Sequence, residues 1–125
     1  MPLILIADDE RYQRLLLQEI LVSDGAFTFV DASDGRQAID LASRERPDLI
    51  LLDIMMPVMD GFEACRRLKI DPDLQAIPVL LISALGPVPD RANWQATGAD
   101  GFIRKPFEES ELWAKVHSAL RQDRL

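Results

Sequence analysis

The sequence predicts an α/β fold in which helices cover both faces of a doubly wound parallel sheet. Short apolar runs alternate along the chain with longer segments of helical spacing, and the connections between them are short. The runs are rich in Ile, Leu, Val and Phe and mostly lack the alternation of a half-exposed strand. This composition is typical of parallel strands that are buried on both faces.

Five apolar runs are predicted to form the strands, at residues 3–7, 27–30, 49–52, 79–82 and 101–103. Right-handed crossovers between them place the helices on both faces of the sheet. Five strand–helix units fit the flavodoxin-like (βα)5 strand order 2-1-3-4-5, in which strands 1 and 3 are neighbours where the order reverses. Ligands bind at that point, beyond the carboxyl ends of the strands.

The first two helices are predicted after strands 1 and 2. The apolar residues of the first recur at helical spacing, namely Leu16, Leu17, Ile20 and Leu21. Its polar residues, Arg14 among them, fill the opposite face. The second helix has Ser33 or Asp34 as its N-cap, and Pro47 prevents its continuation.

Three more helices are predicted in the second half of the chain. The third begins at Asp60, with Glu63 three residues later as in a capping box. The fourth is short, from about residue 90 to residue 97, and Gly98 stands where a helix typically ends. The fifth carries an apolar stripe of Leu112, Trp113, Val116, Ala119 and Leu120. Residues 121–125 are expected to be a C-terminal tail or the start of a linker.

Size and composition limit the possible functions. A chain of 125 residues with 48% hydrophobic residues is sized for one domain with a sizeable core. The net charge of −7 argues against direct binding to nucleic acid or to an anionic membrane surface. One cysteine forms no internal disulfide, and no apolar stretch approaches the roughly 18–20 residues of a membrane span. We therefore expect a cytoplasmic protein.

Charged and polar side chains follow four of the five predicted strands. Asp8 and Asp9 close strand 1, Asp53 closes strand 3, and Ser83 and Lys105 follow strands 4 and 5. Parallel neighbours bring these groups to one crevice, where the carboxylates repel one another unless a cation joins them. An oxygen-only site without histidine or cysteine favours Mg²⁺. Taken alone, the acidic pair is as readily explained as a helix cap.

The predicted crevice suits phosphoryl chemistry. An ammonium group and a hydroxyl that face a metal-held carboxylate can stabilise the equatorial oxygens of a phosphoryl group. An aspartate can serve as the nucleophile and form an acyl phosphate. Asp53 is the central candidate for that role, with Lys105 and Ser83 as the groups that assist it.

Four motifs resemble those of the receiver domain of two-component response regulators. They are the acidic pair Asp8-Asp9, the stretch Asp-Ile-Met-Met-Pro-Val-Met-Asp-Gly at residues 53–61, Ser83-Ala84, and Lys105-Pro106-Phe107. The resemblance spans essentially the whole chain, so it implies a single receiver domain over residues 1–125. It also implies a cis peptide bond between Lys105 and Pro106 that aims the ammonium group into the site.

The resemblance implies a function and a set of site residues. Asp53 would accept a phosphoryl group from a phosphohistidine of a sensor histidine kinase or phosphotransfer protein. Asp8, Asp9, Asp53 and the backbone carbonyl of Met55 would hold Mg²⁺, partly through water. Such a domain has no external substrate to turn over and is not an enzyme in the usual sense, but it catalyses its own phosphorylation from a phosphodonor and its own dephosphorylation.

The same resemblance implies a switch and an output surface. Ser83 would move to bind the phosphoryl group, and Phe102 would turn inward as the aromatic switch. Phe102 lacks the hydroxyl of the commoner tyrosine, so the switch here must act by packing. The surface of helix 4, strand 5 and helix 5 would contact partners, which places there Arg91, Gln95, Phe102, Arg104 and Lys115.

The implied partners are a downstream effector protein or a missing C-terminal output domain, with the chain a monomer or a phosphorylation-dependent dimer.

Two alternatives belong to other functional classes. One is a Mg²⁺-dependent phosphohydrolase with an aspartyl nucleophile. Such enzymes carry the nucleophile and the acid two residues apart after strand 1, whereas Asp8 and Asp9 are adjacent here. The other is a docking module that works without phosphorylation, against which the complete set of acids, hydroxyl and lysine argues.

Overall fold

The structure is a computed structural model and describes residues 1–22, 26–83 and 94–124, with the side chains of residues 122–124 left out. Five parallel strands form one sheet in the order β2-β1-β3-β4-β5. The strands are β1 (Leu3–Ala7), β2 (Thr28–Ala32), β3 (Leu49–Asp53), β4 (Val79–Ser83) and β5 (Gly101–Arg104). The predicted flavodoxin-like fold and its strand order are confirmed.

Within the described ranges, three helices of at least ten residues lie between strands, and another follows β5. They are α1 (Arg11–Val22), α2 (Gly35–Glu45), α3 (Gly61–Ile70) and a C-terminal helix (Glu109–Arg124). Asp34 is the N-cap of α2 and Asp60 that of α3, because their side chains accept hydrogen bonds from the N–H groups three residues later. Both predicted caps are confirmed, with Asp34 rather than Ser33 capping α2.

Two hydrophobic cores, one on each face, hold the sheet in place. Ile4 and Ile6 of β1 pack with Leu17 and Leu21 of α1 and with the C-terminal helix on one face. Leu5 and its neighbours on the other face pack against α2 and α3. The central strands β3 and β4 are buried throughout, whereas the edge strands β2 and β5 are partly exposed. Residues that directly follow the central strands are therefore attached to a fully buried part of the sheet.

Strands β2 to β5 and the C-terminal helix differ in their bounds from the sequence prediction, with β3, β4 and β5 each ending one residue later. Strand β2 runs from Thr28 to Ala32, the residues that pair with β1, and Phe27, which precedes it, packs into a core. The fourth predicted helix, at residues 90–97, lies largely outside the described residues, within which residues 94 and 95 are helical. Gly98 has a φ of +85°, as expected of a residue that follows a helix. The C-terminal helix continues to Arg124, so residues 121–124 extend it; a following linker stays a prediction.

Candidate functional site

Three carboxylates converge at the carboxyl end of the sheet. Ala7 of β1 pairs with Leu52 of β3, so Asp8 and Asp53, one residue further along each strand, are neighbours. One carboxylate oxygen from each of Asp8, Asp9 and Asp53 lies within 4.8 Å of the others. The structure thus brings together the acids that the sequence placed at one crevice.

Every polar atom of the Asp8 side chain is engaged. Asp8 is 1% exposed, and its Oδ2 lies 3.2 Å from Lys105 Nζ. Its Oδ1 accepts a hydrogen bond of 2.9 Å from the backbone N–H of Glu10. The ammonium group and the N–H together compensate for the loss of water around this buried carboxylate.

The surroundings of Asp53 disfavour its charged form. The pKa of Asp53 is raised from 3.8 to about 7, chiefly by burial and further by the neighbouring Asp8 carboxylate. The Lys105 ammonium and the N–H of Met55, which donates to Asp53 Oδ1 at 3.3 Å, act in the opposite direction. The cluster therefore carries more negative charge than its one lysine balances, and a further cation would stabilise it.

Strands β4 and β5 bring the hydroxyl and the ammonium groups to the same end of the sheet. Ser83, the last residue of β4, is buried, and its carbonyl accepts a hydrogen bond of 2.7 Å from the N–H of Lys105. The peptide bond between Lys105 and Pro106 is cis, as expected. Ser83 and Lys105 thus occupy neighbouring strand ends, and Lys105 forms the ion pair with Asp8.

A tight connection between β3 and α3 borders the crevice. The N–H of Gly61 donates to the carbonyl of Ile54, and a Cβ at residue 61 would lie 2.3 Å from the Asp53 carbonyl oxygen. Only glycine permits this approach. Within the connection, a 2.7 Å hydrogen bond from the N–H of Met59 to the carbonyl of Pro57 closes a γ-turn, with Val58 at a φ of 69°.

The expected contribution of Met55 to a metal site is its backbone carbonyl. The side chain of Met55 is exposed, and its N–H lies against Asp53, so the Met55 peptide stands at the crevice. Three carboxylates and a carbonyl form a set of hard oxygen donors, and neither His nor Cys belongs to the cluster found among the described residues. The chemistry of these donors fits Mg²⁺.

Sequence reasoning missed one residue at this site. Arg14, placed by its spacing on the polar face of α1, donates from Nη1 to the backbone carbonyl of Asp8 at 2.7 Å. The sequence contains no signal for this contact, since an arginine in a helix usually lies in solvent.

The expected switch and partner residues within the described part of the chain lie on β5, just before it and on the C-terminal helix. Phe102 is half-buried and stacks on Trp94, with ring centroids 6.0 Å apart and planes inclined by 20°. Gln95 and Arg104 are exposed, and Lys115 is half-buried on the C-terminal helix. Arg91 lies outside the described residues, so the structure gives no account of its contribution to this surface.

Comparison with known proteins identifies the family. The family model described as "Response regulator receiver domain" matches residues 4–117. The chain belongs to the response regulator receiver family. Its structure is similar to the crystal structure of the signal receiver domain of a signal transduction histidine kinase from Syntrophus aciditrophicus, with a TM-score of 0.88 and 38% sequence identity over 97% of this chain and 91% of that one.

Two curated relatives are longer than this receiver domain. The chain is 43% identical to Response regulator PleD of Caulobacter vibrioides over 94% of its own length and 26% of that protein. It is 41% identical to a protein of Guillardia theta named "Probable transcriptional regulator ycf27", over 95% of its own length and 45% of that protein. The receiver domain thus spans less than half of each relative.

Among the helices of the described residues, none combines the length and the apolar character needed to cross a membrane.

Proposed function

We propose that this receiver domain is a phosphorylation-dependent switch in which Asp53 accepts a phosphoryl group. The donor is a phosphohistidine on a sensor histidine kinase or phosphotransfer protein, as the family implies. The observation that carries the proposal is the surroundings of Asp53: a buried carboxylate beside Asp8 and Asp9, with Lys105 as the cation that faces them. A lone surface aspartate would have no such partners.

The reaction follows from these groups. An oxygen of the Asp53 carboxylate attacks phosphorus, the P–N bond to the donor imidazole breaks, and its electron pair returns to the imidazole nitrogen. Lys105 neutralises part of the charge on the transferred group, and the Ser83 hydroxyl donates a hydrogen bond to a phosphoryl oxygen. Attack by water on phosphorus later breaks the P–O bond to Asp53, which releases inorganic phosphate and restores the carboxylate. The chain thus catalyses its own phosphorylation and its own dephosphorylation.

Asp8, Asp9, Asp53 and the carbonyl of Met55 are the groups that would hold Mg²⁺. When bound, the ion supplies positive charge to the carboxylates and to the phosphoryl oxygens. The elevated pKa of Asp53, about 7 without a metal, supports this assignment, because a nucleophilic carboxylate must be ionised. Lys105 alone does not supply enough charge for three acids.

The output of the switch is assigned to the surface of the fourth predicted helix, β5 and the C-terminal helix. We propose that Ser83 moves toward the phosphoryl group and that Phe102 follows by a change in packing, since it has no hydroxyl to bond. The stack of Phe102 on Trp94 is the contact that such a movement would break. Gln95, Phe102, Arg104 and Lys115, together with Arg91, are the proposed partner contacts.

The proposed readers of this surface are an effector protein or an output domain attached to the receiver domain, which the greater length of the curated relatives supports. Monomer and phosphorylation-dependent dimer are both compatible with this function. The cytoplasmic location stays a prediction.

Intact mass spectrometry tests the proposal. The chain is incubated with a small-molecule phosphodonor, either with Mg²⁺ or with a chelator, in parallel with Asp53→Asn. One added phosphoryl group is expected in the wild type with Mg²⁺ and in neither control. A phosphoryl group on Asp53→Asn, or none on the wild type, would refute the proposal. Sustained turnover of a phosphate ester would instead favour the phosphohydrolase alternative.

A further inference from the structure

We propose, on the basis of the function proposed above, that Arg14 is a positioning residue for the acidic pair Asp8 and Asp9 and thereby for the divalent cation. The Arg14 side chain is 14% exposed, which is unusual for an arginine on a surface helix. Its Nη1 donates to the Asp8 carbonyl oxygen at 2.7 Å, the short distance expected of a charge-assisted hydrogen bond.

The two peptide groups on either side of the Asp8 Cα are each held by a hydrogen bond. The N–H of Asp8 donates to the carbonyl of Ala32 in β2 at 3.0 Å, while its own carbonyl accepts from Arg14. The carboxylate is held separately by Lys105 and by the N–H of Glu10. Of these contacts, the one from Arg14 is made to the peptide bond that joins Asp8 to Asp9.

The direction of the Asp9 side chain depends on that peptide bond. Asp9 is exposed, and among the described residues no side chain or N–H group donates a hydrogen bond to its carboxylate. The backbone therefore sets the direction in which the Asp9 side chain leaves the chain. Because Arg14 fixes the oxygen of the Asp8–Asp9 peptide, it restricts rotation of the peptide plane that carries Asp9. Groups that orient metal ligands in this way affect metal affinity.

The charge of Arg14 is balanced away from the site. Its Nε lies 3.4 Å from Oδ2 of Asp31, and the other oxygen of Asp31 accepts a hydrogen bond of 2.6 Å from Gln18. An uncompensated guanidinium near the acids would repel a divalent cation. With Asp31 beside it, Arg14 contributes geometry to the site rather than additional positive charge.

Isothermal titration calorimetry with Mg²⁺ separates the effect of Arg14 on geometry from the effect of its charge. The variants are Arg14→Met, Arg14→Lys and Arg11→Met, the last being an exposed arginine on the same helix that makes the same charge change. We expect the Kd for Mg²⁺ to rise about 3- to 10-fold in Arg14→Met. In Arg11→Met the Kd stays unchanged or falls slightly. Arg14→Lys, which keeps one donor for the Asp8 carbonyl, recovers part of the loss.

A rate measurement distinguishes positioning from general damage. With a small phosphodonor, Arg14→Met should be phosphorylated slowly at low Mg²⁺ and within about twofold of the wild-type rate at saturating Mg²⁺. A rate that stays low at saturating Mg²⁺ would overturn the inference. If Arg14→Met does not fold, the wild type still provides a test: the Nε–H resonance of Arg14 should shift during the Mg²⁺ titration, and an unmoved resonance would count against the role.

Failure of this inference and failure of the proposed function give different results. A wild type that binds Mg²⁺ and is phosphorylated, with Arg14→Met equal to Arg11→Met in Kd, overturns the positioning role alone. A wild type that binds no Mg²⁺ overturns both the positioning role and the proposed function.

Discussion

The ammonium nitrogen of Lys105 lies 3.2 Å from a carboxylate oxygen of Asp8, although 97 positions separate the two residues in the chain. Both side chains are largely withdrawn from solvent, at 12% and 2% exposure. This ion pair joins the first strand to the loop after the last one. The neighbouring Asp53 has no such ion pair among the described residues and is a buried acid with a pKa of about 7.

Replacement of Asp53 by asparagine should stabilise the metal-free protein at alkaline pH. The pKa of Asp53 is about 7 in the folded chain against a reference of 3.8, so between these values the folded state binds more protons than the unfolded state. The free energy of unfolding therefore falls as pH rises through this range, and the full cost is present above about pH 7. We expect Asp53→Asn to gain roughly 1–3 kcal/mol at about pH 8 and little at about pH 4.

Urea unfolding with a chelator present measures this difference at the two pH values. Asp9→Asn is the matched control, because Asp9 is an exposed acid of the same cluster and should change stability little. An Asp53→Asn protein less stable than the wild type at alkaline pH would contradict the assigned electrostatics.

Replacement of Lys105 should lower the stability of the metal-free protein, the opposite of the effect expected for Asp53→Asn. In Lys105→Met, the buried Asp8 carboxylate loses its cationic partner, and we expect the metal-free protein to lose about 1–3 kcal/mol. Added Mg²⁺ should recover more of the stability of the variant than it adds to the wild type, because the site is then more negative. Chemical unfolding with and without Mg²⁺ checks both effects. Lys115→Met makes the same charge change away from the site; equal losses in the two variants would show that the ion pair is unimportant.

Gly61→Ala should damage the site through the backbone. The added methyl group would lie 2.3 Å from the Asp53 carbonyl oxygen, and neither α3 nor β3 can move away without disturbing Asp53. We expect a loss of at least about 2 kcal/mol together with weaker Mg²⁺ binding. In the control Gly101→Ala, the new methyl group meets the end of the Leu80 side chain at 2.7 Å, so the loss should be smaller. The reverse ranking in thermal unfolding would exclude this explanation.

Val58→Gly should stabilise the chain. Val58 is 81% exposed and has a φ of 69°, a conformation that costs a β-branched residue about 1–2 kcal/mol and costs glycine nothing. After the greater entropy of glycine in the unfolded chain is allowed for, a gain of about 0.5–1 kcal/mol remains. Val22→Gly, at an exposed position in α1, should lower stability. Differential scanning calorimetry compares the two variants, and a loss at both positions would argue against strain at Val58.

The sequence was sufficient for the strand order and for the acidic cluster because both depend on periodic and local signals. Runs of apolar residues identify buried strands, and parallel pairing brings their ends together, so the sequence alone assigns Asp8 and Asp53 to one crevice. The caps Asp34 and Asp60 were equally predictable, since each acts on an N–H group three residues away.

Contacts that depend on tertiary packing were not predictable. The hydrogen bond from Arg14 to the Asp8 carbonyl requires the rotation of α1 over the sheet to be known. The stack of Trp94 on Phe102 likewise joins β5 to a segment that no local pattern orients toward it. Valine rarely adopts a positive φ, so the sequence does not predict one at Val58. The hydrogen bond that closes the turn holds the backbone in this conformation.

A structure determined with Mg²⁺ and beryllium fluoride, a stable mimic of a phosphoryl group, tests the central claim most directly. We predict the mimic on a carboxylate oxygen of Asp53, contacted by Lys105 and Ser83, with the ion among Asp8, Asp9, Asp53 and the Met55 carbonyl. A mimic bound to another residue, or an ion outside this cluster, would contradict the account.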